Sequence, residues 1–321
     1  MTRAAAGAAP LFTILLPLIR PPVCLPHAVD TVLRQTERDF ELFIVCDGAP
    51  EETVAWAEDA ARDDRRIKVR AFAKGEALGE AHRAEVMREA TGRLVAGVAD
   101  DDAWLDDHLE TLARQLRRAD LTHTLRVKID GEGRFNAPPG RYDIADPAVR
   151  RMIKETRNTP FGPTFAGWRR TAYDALPHGW RPAPKGMATD LHMWRQFIET
   201  PGLTFSSGLR YTAIKLQSGP RRAEGWTLAR RGAESALYAA AARDPARAAR
   251  MRLAAYLATA EGYDRAGLLR VAAKDPAAAA RFVEARLRRR MTPPEARADL
   301  LRPVPPPPPA DADASEAGAA D

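Results

Sequence analysis

The sequence predicts an α/β fold: a Rossmann-like, mostly parallel sheet flanked by helices, then an α-helical extension and a disordered Pro/Ala-rich tail. Three observations carry this expectation. Between residues 11 and 99, four short apolar runs alternate with helical patterns, as in parallel strands joined by right-handed crossovers. The fourth run stops at three consecutive aspartates, Asp100, Asp101 and Asp102. From Trp226 onward the composition shifts to Ala and Arg.

The elements follow in chain order. Residues 1–10 read as a flexible arm. Arg3 and the Ala-rich stretch after it imitate a signal peptide, but Pro10, Thr13 and Pro17 interrupt the run. No small-residue cleavage site precedes Arg20-Pro21-Pro22, so residues 11–16 are the first strand instead. Pro26 opens a helix with Ala28, Val29, Val32 and Leu33 as its apolar stripe. Residues 40–45 form the second strand, closed by the turn signal Cys46-Asp47-Gly48. Residues 51–61 are helical, 67–72 the third strand, 77–90 helical up to the break at Thr91-Gly92, and 93–99 the fourth strand. Beyond the aspartates, Leu109, Leu112, Ala113 and Leu116 share a helix face, with Asp106 or Asp107 as N-cap.

Residues 121–128 and 133–136 flank Ile129-Asp130-Gly131-Glu132 as a hairpin. Asp146-Pro147 opens a helix that runs to about residue 155. Residues 164–168 form a strand, 171–175 a helix, and 190–198 a helix with Leu191, Trp194 and Ile198 on one face and Thr189 or Asp190 as its N-cap. Residues 209–216 are the last strand. Farther on, Arg243-Asp244-Pro245-Ala246 recurs as Lys274-Asp275-Pro276-Ala277, two helix starts with an Asp cap and a first-turn Pro. Two copies are too few for a solenoid. The expected organisation is therefore an arm (1–10), an α/β domain (11–220), an Ala/Arg-rich helical extension (221–302) and a disordered or polyproline tail (303–321).

The formal net charge of +6 is unevenly spread. Residues 1–220 carry 31 basic and 30 acidic side chains, residues 221–302 carry 18 and 9, and residues 303–321 carry none and 4. The basic excess thus belongs to the helical extension, which suits a solvated helix face, an oligomer contact or peripheral contact with an anionic membrane surface. Its arginines are not interleaved with aromatics, which argues against a nucleic-acid platform. Two cysteines, Cys24 and Cys46, make no disulfide framework and point to a reducing, cytoplasmic setting. Both lie in apolar surroundings and read as inert. No apolar run is long enough to span a bilayer.

Three adjacent carboxylates at the carboxyl end of a strand lie where open α/β sheets bind ligands. They repel one another, and hard cations such as Mg²⁺ or Mn²⁺ relieve that repulsion through oxygen ligation. An acidic turn that caps the next helix explains the triplet equally well until the rest of the chain is considered.

Taken together, residues 12–17, 25–36, 39–48, 92–109 and 189–194 resemble family 2 glycosyltransferases of GT-A fold. The order and spacing of Phe12-Thr13-Ile14, Val45-Cys46-Asp47-Gly48, Asp100-Asp101-Asp102-Ala103-Trp104 and Thr189-Asp190-Leu191-His192 carry the likeness, which spans residues 11–216. The resemblance implies an inverting transfer from a nucleotide-diphospho-sugar, with Mn²⁺ or Mg²⁺ as cofactor and a glycan, lipid-linked or small-molecule hydroxyl as acceptor. It assigns the metal to Asp101 and Asp102, the ribose or metal contact to Asp100, and nucleotide-sugar contacts to Pro17, Arg20 and Asp47. Asp190 falls at the catalytic base, and Lys215 is a candidate for the diphosphate. A turn with Gly48 explains Asp47 equally well. His192 and Trp194 read as scaffold, and Arg93 and Lys74 as solvated. A bacterial cell-envelope or polysaccharide setting rests on the family alone.

The sequence departs from the family pattern at Leu18, Ile19 and Arg20, where polar residues are usual, at Cys46 and Ala99, where acids are usual, and at Asp106, where proline is usual. These departures leave room for a non-catalytic GT-A-like binding module. Metal-dependent donor binding with turnover distinguishes the enzyme from it. A nucleotidyltransferase is disfavoured because no Gly-rich basic loop follows the first strand.

Overall fold

The apolar runs form strands because both of their faces are covered, as a parallel sheet between helices requires. In the computed structural model, which describes residues 9–137, 143–157, 159, 161–260 and 265–307, the strands are β1 (Phe12–Leu18), β2 (Phe40–Asp47), β3 (Ile67–Phe72), β4 (Leu94–Gly97), β5 (Ala103–Trp104), β6 (Leu121–His123), β7 (Lys128–Ile129), β8 (Phe135–Asn136), β9 (Ala166–Arg169), β10 (Phe205–Ser207) and β11 (Ala213–Leu216). The helices are α1 (Leu25–Leu33), α2 (Glu51–Asp63), α3 (Glu80–Glu89), α4 (His108–Leu116), α5 (Pro147–Glu155), α6 (Arg170–Asp174), α7 (Thr189–Glu199), α8 (Ser218–Ala223), α9 (Leu228–Arg243), α10 (Pro245–Ala260), α11 (Arg265–Lys274), α12 (Pro276–Met291) and α13 (Pro294–Leu300).

The main sheet has the order β10-β6-β9-β4-β1-β2-β3. Only β9 runs against its neighbours, β4 and β6. The order reverses between β1 and β4, which pair in parallel from Phe12 opposite Leu94 to Leu15 opposite Gly97. That reversal opens a crevice at the carboxyl ends of these strands, the position open α/β sheets use for ligands. At the other end of β1, Gly92 lets the β4 approach pack directly on the sheet. A Cβ there would lie 2.2 Å from the Thr13 amide nitrogen, and the Gly92 N–H donates to Thr13 Oγ1 and Glu41 Oε1.

A second, smaller sheet has the order β5-β11-β7-β8. It corrects the expectation of one long hairpin arm over residues 121–128: residues 121–123 join the main sheet, and only Lys128 and Ile129 pair with Asn136 and Phe135. The last strand is likewise shorter than expected, and β10 was not anticipated. The small sheet and the C-terminal helices share a second core, in which Val127, Ile129, Phe135, Tyr211 and Ile214 pack with Tyr238, Met251, Leu257 and Phe282. The recurring Asp-Pro starts behave as read. Asp244 Oδ1 accepts the Ala246 and Arg247 N–H groups, and Asp275 Oδ1 accepts that of Ala278.

Asp107 is the N-cap of α4, as expected, but its carboxylate pairs with Arg210 (2.6 Å) and Arg252 (2.7 Å) instead of the helix. Asp106 pairs with Arg34. The cap expected for α7 is corrected. Neither Thr189 nor Asp190 caps α7, because the helix already begins at Thr189 and its N-cap is Ala188. Of the expected tail, residues 303–307 are held against the second core, with Val304 buried and its carbonyl accepting from Tyr238 Oη. Residues 308–321, and residues 1–8 of the arm, lie outside the described residues. Among the described residues no helix is long and apolar enough to cross a membrane. Cys24 and Cys46 are free and buried, and burial raises both thiol pKa values, that of Cys46 to about 11.

Candidate active site

The site grows from the turn that follows β4. The Asp102 N–H closes it on the Ala99 carbonyl at 3.1 Å. Trp104 then pins the turn from below. It is fully buried, its indole N–H donates to the Thr164 carbonyl (3.0 Å), and its ring stacks on His108. The three carboxylates leave this turn in three directions.

Asp100 receives the fork of Arg20, with Nη2 2.8 Å from Oδ1 and Nε 2.7 Å from Oδ2. Burial raises the Asp100 pKa to about 6, against the pull of Arg20 and with a further push from Asp101. Asp101 Oδ2 accepts Ser218 Oγ (2.7 Å), lies 3.5 Å from Arg20 Nη1 and is also bonded by Arg231 Nη2. Burial opposes its ionisation, but Lys215, Arg20, Ser218 and Arg231 outweigh that cost and lower its pKa.

Asp102 is turned inward. Its Oδ2 accepts Thr164 Oγ1 (2.5 Å) and Lys215 Nζ (2.7 Å), its Oδ1 accepts the Leu216 N–H (3.2 Å), and its side chain has no exposed surface. Both Asp102 oxygens join the turn to β11, so a cation expected there would share them with these donors. Lys215, expected at a diphosphate, is held by the same bond.

Asp190, at the start of α7, faces the same cleft. It is partly exposed, and its carboxylate accepts no hydrogen bond from the described residues. Burial raises its pKa to about 6, with Arg83 and Lys215 pulling it down and Glu80 pushing it up. Glu80 is itself buried and accepts Thr189 Oγ1 at a normal-to-short distance of 2.5 Å. Arg83 lies over the Trp180 ring, 4.2 Å from its centroid, and donates to the Leu78 carbonyl.

Asp47, at the end of β2, is almost completely buried. Its Oδ1 accepts the Gly75 N–H (2.6 Å) and its Oδ2 accepts Lys74 Nζ (2.8 Å). The carboxylate thus ties down the segment at Lys74 and Gly75, and Lys74, exposed as expected, is also its ion-pair partner. Pro17 sits inside β1 opposite Val45. Trp194 and His192 are buried, as scaffold residues are.

The structure therefore brings Arg20, the aspartate triplet, Lys215 and Asp190 to one crevice. Sequence reasoning missed Ser218, Arg231, Arg83, Glu80 and Thr164. Ser218 follows Lys215 by three residues and was within reach of a local reading. Arg83 and Arg231 look in sequence like ordinary helix-surface arginines, and only tertiary packing buries them.

The donor set of the triplet suits a hard divalent cation. It consists of carboxylate and hydroxyl oxygens, and two guanidinium groups already stand on Asp101 where positive charge is wanted. No group of three or more His, Cys, Asp or Glu among the described residues converges into an all-protein cage. Such a cage is not needed, since Mg²⁺-type ions are commonly held by one or two carboxylates together with substrate phosphates.

Comparison with known proteins agrees with this architecture. The profile of Glycosyl transferase family 2 matches residues 13–176, about half of the chain. The chain belongs to this family. Among curated proteins it is similar to an uncharacterized glycosyltransferase, EpsJ, of Bacillus subtilis (strain 168), 34% identical over 157 residues. That match takes in 47% of this chain and 45% of the relative, so the chain accounts for less than half of the relative's length. Among solved structures it is similar to S. aureus TarS, with TM-score 0.50 and 13% identity over 85% of this chain and 53% of that one. A shorter TarS structure, residues 1–349, also gives 0.50 and 13%, over 91% and 89%. At such identity the likeness concerns the fold alone.

Proposed function

We propose that the chain transfers a sugar from a nucleotide-diphospho-sugar to an acceptor hydroxyl, with inversion at the anomeric carbon and with a divalent cation, Mn²⁺ or Mg²⁺, at the triplet. The observation that carries this reading is Asp190. It is a carboxylate with no hydrogen-bond donor among the described residues, raised to a pKa of about 6, in the crevice that holds the triplet. A group so poised takes a proton near neutral pH, which is what in-line attack by a hydroxyl requires of a general base.

Asp101 is the proposed metal ligand and Asp100 the ribose or metal contact. When bound, the cation neutralises charge on the leaving diphosphate. Arg20 and Lys215 lie close enough to the triplet to add positive charge there. Lys215 also links the two halves of the site, since its ammonium is bonded to Asp102 and its field reaches Asp190. Asp47 acts on the nucleotide by tying down the segment at Lys74 and Gly75, and the end of β1 at Pro17 supplies backbone beside it. Residues 11–220 form the transferase unit, and residues 221–302 close one side of the site. Acceptor class (glycan, lipid-linked or small molecule), a cytoplasmic setting and contact with the inner membrane face rest on the family and on the basic charge of the extension.

The test is donor consumption by the full chain with UDP- and GDP-sugars, with Mn²⁺ and with chelator, followed by NMR of the product's anomeric centre. Metal-dependent turnover with an inverted centre supports the reading. Turnover at full rate in chelator would remove the cation from it, and a retained centre would remove Asp190 as the base.

A further inference from the structure

Asp101 draws two guanidinium groups from opposite ends of the chain. Arg20 comes from the loop after β1. Arg231 comes from α9, in the helical extension and beyond the segment that matches the family profile. Both reach Oδ2, and Arg231 Nη2 also lies 3.1 Å from Ser218 Oγ. The side chains of Arg231 and Asp101 are only 6% and 3% exposed, so this pair is made away from water. Placing a guanidinium in such a site is costly unless the carboxylate it meets repays the lost hydration.

The helix that delivers Arg231 is firmly held. Arg221 and Glu234 form a fully buried ion pair, and Arg221 also donates to the Ile129 and Asp130 carbonyls. Gly232 brings α9 close to the loop that carries Arg20: a Cβ there would lie 3.1 Å from the Val23 carbonyl oxygen. With the backbone fixed, the part free to move is the long Arg231 side chain.

At the triplet three carboxylates stand against three cationic side chains, Arg20, Lys215 and Arg231. A divalent cation held by Asp101 would meet a guanidinium bonded to that carboxylate, and two like charges so close in a dry site would repel strongly. We propose that Arg231 is a resident counter-cation of the triplet. It occupies Asp101 Oδ2 until a divalent cation displaces it, and the freed guanidinium then serves the donor diphosphate. The inference rests on the metal-dependent reading above, and it makes the helical extension part of the donor site.

The experiment uses the full chain, native and with Arg231→Gln or Arg231→Lys. Affinity for Mn²⁺ alone is read by electron paramagnetic resonance of the free ion, and affinity for UDP and GDP by calorimetry at saturating Mn²⁺. Removing a competing charge-assisted bond should tighten Mn²⁺ binding in Arg231→Gln by about tenfold and weaken nucleotide binding by about tenfold, while Arg231→Lys stays near native in both. Mn²⁺ affinity that is equal or weaker in Arg231→Gln overturns the displacement. Mn²⁺ binding by none of the chains overturns the metal-dependent reading itself. Should the Gln variant not fold, arginine-selective ¹⁵N NMR of the native chain with Mg²⁺ decides. Loss of the slowly exchanging Arg231 Nη–H signal on Mg²⁺ addition supports displacement, and an unchanged signal overturns it.

Discussion

Lys215 Nζ lies 2.7 Å from Asp102 Oδ2, and the carboxylate it holds has no exposed surface. With Thr164 Oγ1 and the Leu216 N–H on the same carboxylate, this pair joins the turn after β4 to the edge of the small sheet. Asp102 thus has a structural role in the triplet, and Asp101 is the carboxylate we propose as the principal ligand. Asp102→Ala leaves a partly buried ammonium and a buried threonine hydroxyl without their partner and is expected to lower stability by about 3 kcal/mol. Urea unfolding measures this. Asp102→Asn, if it folds, should keep more of the Mn²⁺ affinity than Asp101→Asn does.

Asp190 shows a conflict between stability and function. Its folded-state pKa, about 6, lies above its ordinary value of 3.8. Between about pH 4 and about pH 6 the folded chain therefore holds this proton more firmly than the unfolded chain, so stability falls as pH rises through that window and the cost persists above it. Asp190→Asn removes the cost. It is expected to be more stable than the native chain at pH 8, by on the order of 1–3 kcal/mol, and no more stable at pH 4. The same variant should keep donor affinity and lose turnover by at least about a hundredfold. In the native chain kcat/KM should rise with pH through about 6, because the base must be unprotonated. Thermal unfolding at the two pH values and a pH–rate profile check these outcomes.

Asp47 acts through the segment at Lys74 and Gly75. Asp47→Ala frees the Gly75 N–H and Lys74 Nζ, and the segment loses the carboxylate that orders it. Faster tryptic cleavage after Lys74 and weaker nucleotide binding are expected together. Nucleotide binding lost with cleavage unchanged would instead mean a direct contact between Asp47 and the nucleotide.

Trp194 belongs to the core. Its side chain is fully buried, its ring packs near Phe161, Trp168 and Phe197, and its indole N–H donates to the Phe161 carbonyl. Trp194→Ala should cost about 3–5 kcal/mol in stability. Trp194→Phe should retain donor and acceptor KM values, which a sugar-stacking role would not allow.

The main sheet was legible because strands buried on both faces leave continuous apolar runs, as in Phe12–Leu18 and Phe40–Asp47, and each ends in a turn signal. The triplet and Asp190 stand out in the sequence through their order along the chain, and the roles proposed for them rest on that order and on the geometry. The small sheet was not, since two-residue strands such as Ala103–Trp104 have no period to read and exist only through their partners. Side-chain destinations were hidden for the same reason. Asp107 has the sequence of a cap, yet Arg210 and Arg252, from distant segments, compete for its carboxylate and win. Arg231 reaches Asp101 across 130 residues, and no local pattern marks it.

The most direct test of the account is calorimetric titration of the full chain with UDP and with GDP, in the presence and absence of Mn²⁺, beside Asp101→Asn. Removing the carboxylate charge while keeping its shape spares the Arg20 and Arg231 neighbours the worst of a deletion. The account predicts that one nucleotide binds the native chain, that Mn²⁺ strengthens this binding by at least about tenfold, and that Asp101→Asn loses the Mn²⁺ increment. Binding that ignores Mn²⁺, or an Mn²⁺ increment that survives in a folded Asp101→Asn, would contradict it.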